Sequence, residues 1–178
     1  PPNNSFKPTP HRGVNSVLYA TLARCRRPAV GRLNSGVRTH KEISVAQSIF
    51  INLPVQDLGK SRAFYAGLGF SFNEQFSNDQ AACVVIAENI LVMLLVKPFF
   101  ATFTSKPIAD AHQTTEVLNC LSCETREGVD ELVRLAKQHG GSSPRDPQDH
   151  GFMYGHGFED PDGHTWEVVH MAPTADQS

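Results

Sequence analysis

The chain has 178 residues and a formal net charge of −2 at pH 7, a length that allows one domain with a buried core. The longest apolar run, Ile90 to Val96, is too short to span a bilayer. Four cysteines in a chain of this length do not predict a disulfide framework. The sequence therefore excludes a helical membrane protein and a small disulfide-stapled scaffold.

The charge is unevenly distributed. Residues 1–44 carry eight Lys/Arg and one acidic residue, whereas residues 45–178 carry eight Lys/Arg and seventeen acidic residues. The first segment shows no sustained periodicity, which predicts a basic, largely disordered extension. Such a composition is also typical of a transit peptide or a nucleic-acid-binding tail. The stretch from Asn3 to Pro8, however, resembles peptides obtained by translating the recombination sites of mobile gene cassettes. That resemblance implies that the protein proper begins near Ile43. The break in charge and composition near residue 44 further predicts that residues 1–42 can be deleted without loss of stability, and nucleic acid is not expected as a partner.

Residues 49–96 predict a strand, a helix and three further strands. Alternating apolar residues from Ile49 to Val55 give the first strand one face for a helix to cover. Asp57 is a candidate N-cap for a helix over residues 58–68, and Gly69 is a candidate for its end. Segments 71–76, 81–86 and 90–96 have the composition of strands. This order makes one βαβββ module.

Residues 117–170 repeat that order after a connector, residues 97–116, which predicts a short helix or a lid. The second module has a strand over 117–123 and a helix capped by Thr125. A poor edge strand over 142–148 and a hairpin of 152–158 with 164–170 complete it. The predicted fold class is therefore α+β, with two βαβββ modules in a domain over residues 45–172 and a polar tail over 173–178.

The hairpin turn Asp160-Pro161-Asp162-Gly163 has the residues of a type I turn. Glu167 lies in the apolar strand after it, where a carboxylate needs a partner, so it is a candidate site residue. If the turn closes symmetrically, His156 lies opposite Glu167 on the same face. His156 would then be a candidate for acid–base chemistry, with a raised pKa unless burial opposes it. The alternative is that His156 only neutralises Glu167.

Two motifs together resemble the vicinal oxygen chelate superfamily of glyoxalases, bleomycin-resistance proteins and extradiol dioxygenases. One is the strand, capping Asp and helix from Ile49 to Phe70, and the other is the turn Glu159-Asp160-Pro161-Asp162-Gly163 about a hundred residues later. The resemblance covers roughly residues 47–172. It implies that the modules form a curled mixed sheet around a cleft, and that the protein is a homodimer which pairs modules across chains.

In metal-dependent members of that superfamily, four side chains hold a divalent ion. The matching positions here are Phe50, Met93, Leu118 and Glu167. A phenyl ring and an isobutyl group cannot bind a hard cation, and a thioether is too soft for one. The resemblance thus implies the metal-free branch, with neither a metal nor another cofactor.

Strand alternation predicts a cleft that is largely apolar with a few polar anchors, as is usual for small-molecule sites. Its predicted lining is Phe50, Asn52, Met93, Cys120, Tyr154, His156 and Glu167. The alternative is that these side chains fill a core. The pair Cys120 and Cys123 does not predict zinc or redox chemistry, because residues three apart on a strand point to opposite faces. His150, His156, His164 and His170 are mostly expected to be ordinary surface histidines.

These observations predict a cytoplasmic, metal-independent protein that binds a small molecule and sequesters or detoxifies it. One alternative is a glyoxalase-like isomerase or lyase, or a dioxygenase, with unusual metal ligands. Another is a dimerisation module with a vestigial cleft. Bound metal would favour the first alternative, and the absence of any stabilising ligand would favour the second.

Overall fold

The computed structural model describes residues 48–172, and the predictions for the N-terminal extension and for the tail after residue 172 lie outside this range. Over the described residues the chain forms the two predicted βαβββ modules joined by the connector. The elements are β1 (Ile49–Val55), α1 (Leu58–Gly67), β2 (Ser71–Asn73), β3 (Ala81–Ala87), β4 (Ile90–Val96), α2 (Lys97–Phe100), β5 (Leu118–Ser122), α3 (Arg126–Gln138), β6 (Gln148–Asp149), β7 (Met153–Glu159) and β8 (Thr165–Met171).

Each module contributes its own four-stranded mixed sheet, so the strands do not form one continuous sheet. The orders are β1-β4-β3-β2 and β5-β8-β7-β6. In each sheet the first and last long strands of the module are parallel neighbours, and the other pairs are antiparallel. The identical topology confirms the internal repeat seen in the sequence.

Both predicted helix caps are present. The Asp57 side chain accepts a hydrogen bond from the Lys60 amide at 3.1 Å, and Thr125 Oγ1 accepts one from the Gly128 amide at 3.1 Å. Each satisfies an amide at a helix start that otherwise has no partner, a contribution of typically about 1 kcal/mol. The caps fix where α1 and α3 begin.

Several elements are shorter than their sequence patterns suggest. β2 ends at Asn73, whose side chain accepts a hydrogen bond from the Gln75 amide at 3.0 Å and starts a 3₁₀ turn. The predicted edge strand over 142–148 is reduced to the two-residue β6 and an isolated bridge between Ser142 and Glu159, because Pro144 and Pro147 cannot donate to a ladder. The connector contains the expected short helix, α2, which packs against β1 and β4.

One hydrophobic cluster joins the two modules. It contains α1, α3 and one face of each sheet. The Phe64 ring of α1 lies 6.0 Å from that of Phe158 in β7, and the Tyr65 ring lies 6.1 Å from that of Trp166 in β8. We call the two sheet faces that contribute to this cluster the inner faces. The opposite, outer faces point away from this core.

The turn between β7 and β8 has five residues, Asp160 to His164, and not the four predicted. The expected turn hydrogen bond is present, since the Gly163 amide donates to the Asp160 carbonyl at 3.0 Å. Gly163 then takes a φ of +89° and adds a residue before the strands pair. The Asp160 amide donates to the His164 carbonyl at 3.1 Å. As a result, Glu159 lies opposite Thr165 and the whole hairpin is shifted by one residue from the prediction.

This turn fastens the second module onto the first. The Gln56 amide donates to Asp162 Oδ1 at 2.7 Å, and the Ser61 hydroxyl donates to Asp162 Oδ2 at 2.9 Å. The Tyr65 hydroxyl donates to Asp160 Oδ2 at 2.7 Å. These bonds join residues about a hundred positions apart, so the acidic turn is a clamp between modules.

His164 also belongs to this clamp, so its assignment as a surface histidine was wrong. It is only 2% exposed. Its Nδ1 lies 2.6 Å from Glu116 Oε1, and its Nε2 lies 2.9 Å from the Pro54 carbonyl oxygen. Both partner atoms are hydrogen-bond acceptors. The ring thereby ties the turn to the connector and to β1.

In the part of the chain that the structure describes, no helix is long and apolar enough to cross a membrane.

Candidate functional site

The outer face of the second sheet carries a cavity of about 280 Å³. Its floor is made by β7 and β8, where the outer-face positions of β7 include Gly155 and Gly157. Because these residues have no side chains, open space remains above the strand beside Glu167. The segment before β6 supplies the wall. The residues that line the cavity are Cys120, Arg145, Asp146, Gln148, His150, Met153, Gly155, His156, Gly157, Glu167 and Val169.

Glu167 and Arg145 form an ion pair in this cavity. Arg145 Nη2 lies 3.5 Å from Glu167 Oε1, and the two side chains are 56% and 36% exposed, respectively. An ion pair this open to water contributes little to stability. Its carboxylate and guanidinium both remain accessible, so they can bind polar groups of a ligand. Sequence reasoning missed Arg145, because only the tertiary fold brings the loop around Pro144 over β8.

Cys120 lies beside Glu167 on the neighbouring parallel strand. Partial burial, and secondly the charge of Glu167, raise the pKa of its thiol. The thiol therefore stays protonated at neutral pH and is a weak nucleophile there. Its role in the cavity is that of a small, weakly polar lining group.

The predicted pairing of His156 with Glu167 is wrong. Glu167 lies opposite Gly157, and His156 lies opposite Val168. The extra turn residue at positive φ causes this one-residue shift, which sends the two side chains to opposite faces. Burial lowers the pKa of His156, contrary to the rise that a carboxylate partner would cause.

Tyr154 lies with His156 on the inner face, also opposite to the prediction. Its register partner is His170, and its hydroxyl donates to Asp130 Oδ1 of α3 at 2.8 Å. Tyr154 therefore packs between the sheet and α3, and does not line the cavity beside Glu167. His170 lies on the inner face as well, since it is three residues from Glu167 along β8.

The three first-module residues of the predicted cleft lie on the outer face of the first sheet. Asn52 and Met93 are register partners, and Phe50 pairs with Leu91 on the same face. Met93 is buried, whereas Asn52 is exposed and its amide reaches only the Phe50 carbonyl, at 3.4 Å. Since the two outer faces point away from the common core, one chain does not bring these residues to Glu167.

The four positions of the superfamily's metal site do not fit a metal in this chain. Phe50, Met93 and Leu118 offer no hard donor atom, which leaves Glu167 with its Arg145 partner. Among residues 48–172, no group of three or more His, Cys, Asp or Glu is arranged to hold a metal ion.

Comparisons with known proteins agree with this architecture. Residues 47–87 match a family model described as bleomycin resistance protein-like N-terminal. The solved structure of hypothetical protein SA1046 from S. aureus is 32% identical, covers 70% of this chain and 94% of its own, and superposes with a TM-score of 0.61. A glyoxalase-related enzyme from Fulvimarina pelagi is 19% identical, with coverages of 75% and 96% and a TM-score of 0.62.

A third similar structure is TnmS3, an antibiotic binding protein from Streptomyces sp. CB03234. It is 16% identical, covers 73% of this chain and 99% of its own, and has a TM-score of 0.54, a likeness of fold alone. Among curated proteins, no sequence matches this chain.

Proposed function

Because the chain belongs to the vicinal oxygen chelate superfamily of glyoxalases, bleomycin-resistance proteins and dioxygenases, we propose that it binds a small organic molecule without a metal and thereby sequesters it. The observation that carries this proposal is the cavity beside Glu167 and Arg145. It combines open space, the solvent-accessible charged side chains of Arg145, Asp146 and Glu167, and the apolar side chains of Met153 and Val169. A small molecule would find both polar anchors and apolar contacts there.

The charged pair suggests what the ligand presents. Arg145 suits a carboxylate, phosphate or ketone oxygen, while Glu167 accepts hydrogen bonds from amine or hydroxyl groups. A ligand that carries both kinds of group would replace the exposed ion pair with two bonds of its own. The apolar neighbours Met153 and Val169 would contact the rest of the molecule.

We further propose that a second copy of the chain completes the cleft. The outer face of the first sheet presents Phe50, Asn52 and Met93 but lies on the other side of the core from Glu167. A twofold dimer that places this face of one copy over Glu167 of the other would form two equal clefts. Leu118, which is 53% exposed on the outer face of β5, would then be covered. Light scattering at micromolar concentration should give the mass of a dimer, and a monomer mass would contradict this arrangement.

We propose that the protein is located in the cytoplasm. The three cysteines of the described residues, Cys83, Cys120 and Cys123, are all free. Free thiols suit a reducing compartment.

A thermal-shift screen tests the binding function directly. The panel should contain thiol conjugates, small keto acids and aromatic antibiotics, the last chosen because TnmS3 is described as an antibiotic binding protein. A ligand at a hundred times its Kd should stabilise the protein by about 2.7 kcal/mol. Calorimetric titration of any hit should then give one ligand per chain.

Glu167→Gln should weaken binding of that hit about tenfold or more, because the bond to a charged group is lost. Glu74→Gln is the matched control, since Glu74 also pairs with an arginine, Arg62, away from the cavity. A hit whose Kd is equal in the parent and in Glu167→Gln would place its binding elsewhere. A hit that binds only after a divalent ion is added would contradict metal independence.

A further inference from the structure

A second, larger space of about 550 Å³ lies between the modules on the side of the inner faces. Ile86 and Ile90 of the β3–β4 hairpin form one wall. Leu132 and Leu135 of α3 form the other, and Asn119 and Trp166 lie between them. We call this space the intermodule groove. Its centre differs from that of the cavity beside Glu167, because Glu167 is on the outer face of the same sheet, and Cys120 of β5 lines both spaces.

The internal repeat explains why the groove is open. The β7–β8 hairpin of the second module is equivalent to the β3–β4 hairpin of the first. Its five-residue turn, Asp160 to His164, reaches the start of α1, where Asp162 binds Gln56 and Ser61. The β3–β4 hairpin occupies the corresponding position towards α3, but Ala87 and Ile90 already pair, which leaves a turn of two residues. A turn shorter by three residues does not reach α3, and the space between them stays unfilled.

Asn119 gives the groove a polar group without a partner. It is 7% exposed, and its Nδ2 makes no hydrogen bond within the described part of the protein. Asn119 is equivalent to Ile51 of the first module: Asn119 pairs with Trp166 in the second sheet, and Ile51 pairs with Val92 in the first. An amide thus stands where the repeat has an apolar side chain. Buried polar groups nearly always have a partner, so a partner from outside the described chain is expected for this amide.

The lining also restricts the charge of an occupant. Of the residues that the structure describes, Glu131 alone brings an acidic or basic side chain to the groove, and it pairs with Arg134 at 2.7 Å on the exposed face of α3. Among residues 48–172, no cationic side chain lines the space to receive an anion. The volume lies within the range of about 300–1,000 Å³ that is usual for small-molecule sites.

We propose that the intermodule groove binds a neutral, mainly apolar molecule whose carbonyl or ether oxygen accepts a hydrogen bond from Asn119. The apolar part of this ligand would lie between Ile86 and Leu132. This site is additional to the cleft on the outer faces and does not depend on it.

Fluorescence titration of the full chain with prodan, a neutral naphthyl ketone whose emission shifts to the blue in apolar surroundings, tests the proposal. The parent should bind one dye per chain with a blue-shifted emission. Asn119→Leu keeps the branched shape of the side chain but removes the donor, and should raise the Kd about tenfold. Leu132→Trp should abolish binding by filling the groove.

Gln75→Leu is the matched control, because it also replaces an amide side chain with leucine, at an exposed residue that lines neither the groove nor the cavity beside Glu167. Its Kd should stay within about twofold of the parent value. Thermal unfolding checks that each variant is folded. If Leu132→Trp is not folded, the dye binding of Asn119→Leu tests the proposal by itself. The proposal is overturned if the parent does not bind the dye, if Asn119→Leu binds it as tightly as the parent, or if Gln75→Leu loses binding to the same extent as Asn119→Leu.

Discussion

Removing the hydroxyl group of Tyr65 should destabilise the protein far more than its size suggests. That hydroxyl is fully buried between two partners: it donates to Asp160 Oδ2 at 2.7 Å and accepts from Trp166 Nε1 at 3.1 Å. Burial, together with the neighbouring Asp160 carboxylate, holds the pKa of Tyr65 well above its ordinary value, so the group is a donor at neutral pH. Tyr65→Phe keeps the ring and leaves both partners without their bond.

The expected loss can be estimated from those two bonds. A buried indole N–H left without an acceptor costs about 1–3 kcal/mol, and a bond to a charged group contributes about 1.5–3 kcal/mol. Asp160 keeps the hydrogen bonds that the Asp162 and His164 amides donate to its Oδ1, at 3.0 and 2.9 Å. These bonds limit the loss of stability. We expect a fall of about 3–4 kcal/mol in the free energy of unfolding, a large share of the roughly 5–15 kcal/mol of a typical domain.

Urea denaturation measures this change. With a slope near 2 kcal/mol/M, the midpoint should fall by about 1.5–2 M while the slope stays constant. Tyr154→Phe is the control, because it removes a hydroxyl that donates to Asp130 at 2.8 Å in an exposed setting, and it should cost less than about 1 kcal/mol. If the two variants lose the same stability, the buried bonds at Tyr65 do not hold the modules together and the clamp interpretation fails.

Metal content, histidine titration and thiol ionisation test other parts of the structure. Elemental analysis of natively purified protein should find far less than one divalent ion per chain, and about one zinc, nickel or iron would contradict this. His156 should titrate below 6.5 by NMR because burial lowers its pKa, and Glu167→Gln should leave that value unchanged since the side chains lie on opposite faces. Burial raises the pKa of Cys83 from 9.0 to about 11, so between these values the unfolded chain binds fewer protons and stability falls with rising pH. Ionisation of this thiol should lower the free energy of unfolding by about 2–3 kcal/mol over that pH range. An equally steep fall of stability with pH in Cys83→Ala would show that the thiol is not its cause.

The elements of the fold could be predicted because their signals are local. Alternation over residues 49–55 marks a strand with one covered face, and Asp57 and Thr125 mark helix starts through bonds to amides only three residues away. The order of elements then repeats, which fixes the two modules. None of these inferences depends on which residues far apart in the sequence are in contact in the fold.

The candidate site was less predictable because it depends on register and on distant contacts. Gly163 fits either the last position of a four-residue turn or a bulge at positive φ, and the sequence does not distinguish the two. That one residue decides which face His156 takes. The burial of His164 likewise depends on Glu116 and Pro54, 48 and 110 residues away, and no local pattern records such contacts.

Two hairpin turns of different length give the two halves of one repeat different properties. The long turn carries Asp160, Asp162 and His164 into the first module, where each finds partners, so that end is filled and polar groups are satisfied. The short turn at Glu88 and Asn89 makes no equivalent bonds to the second module, so this end keeps open space and the Asn119 amide has no partner among the described residues. Because the bonds of the long turn hold the two modules together at one end, the domain stays folded without equivalent bonds at the other end. The short turn therefore leaves the second end available for a ligand.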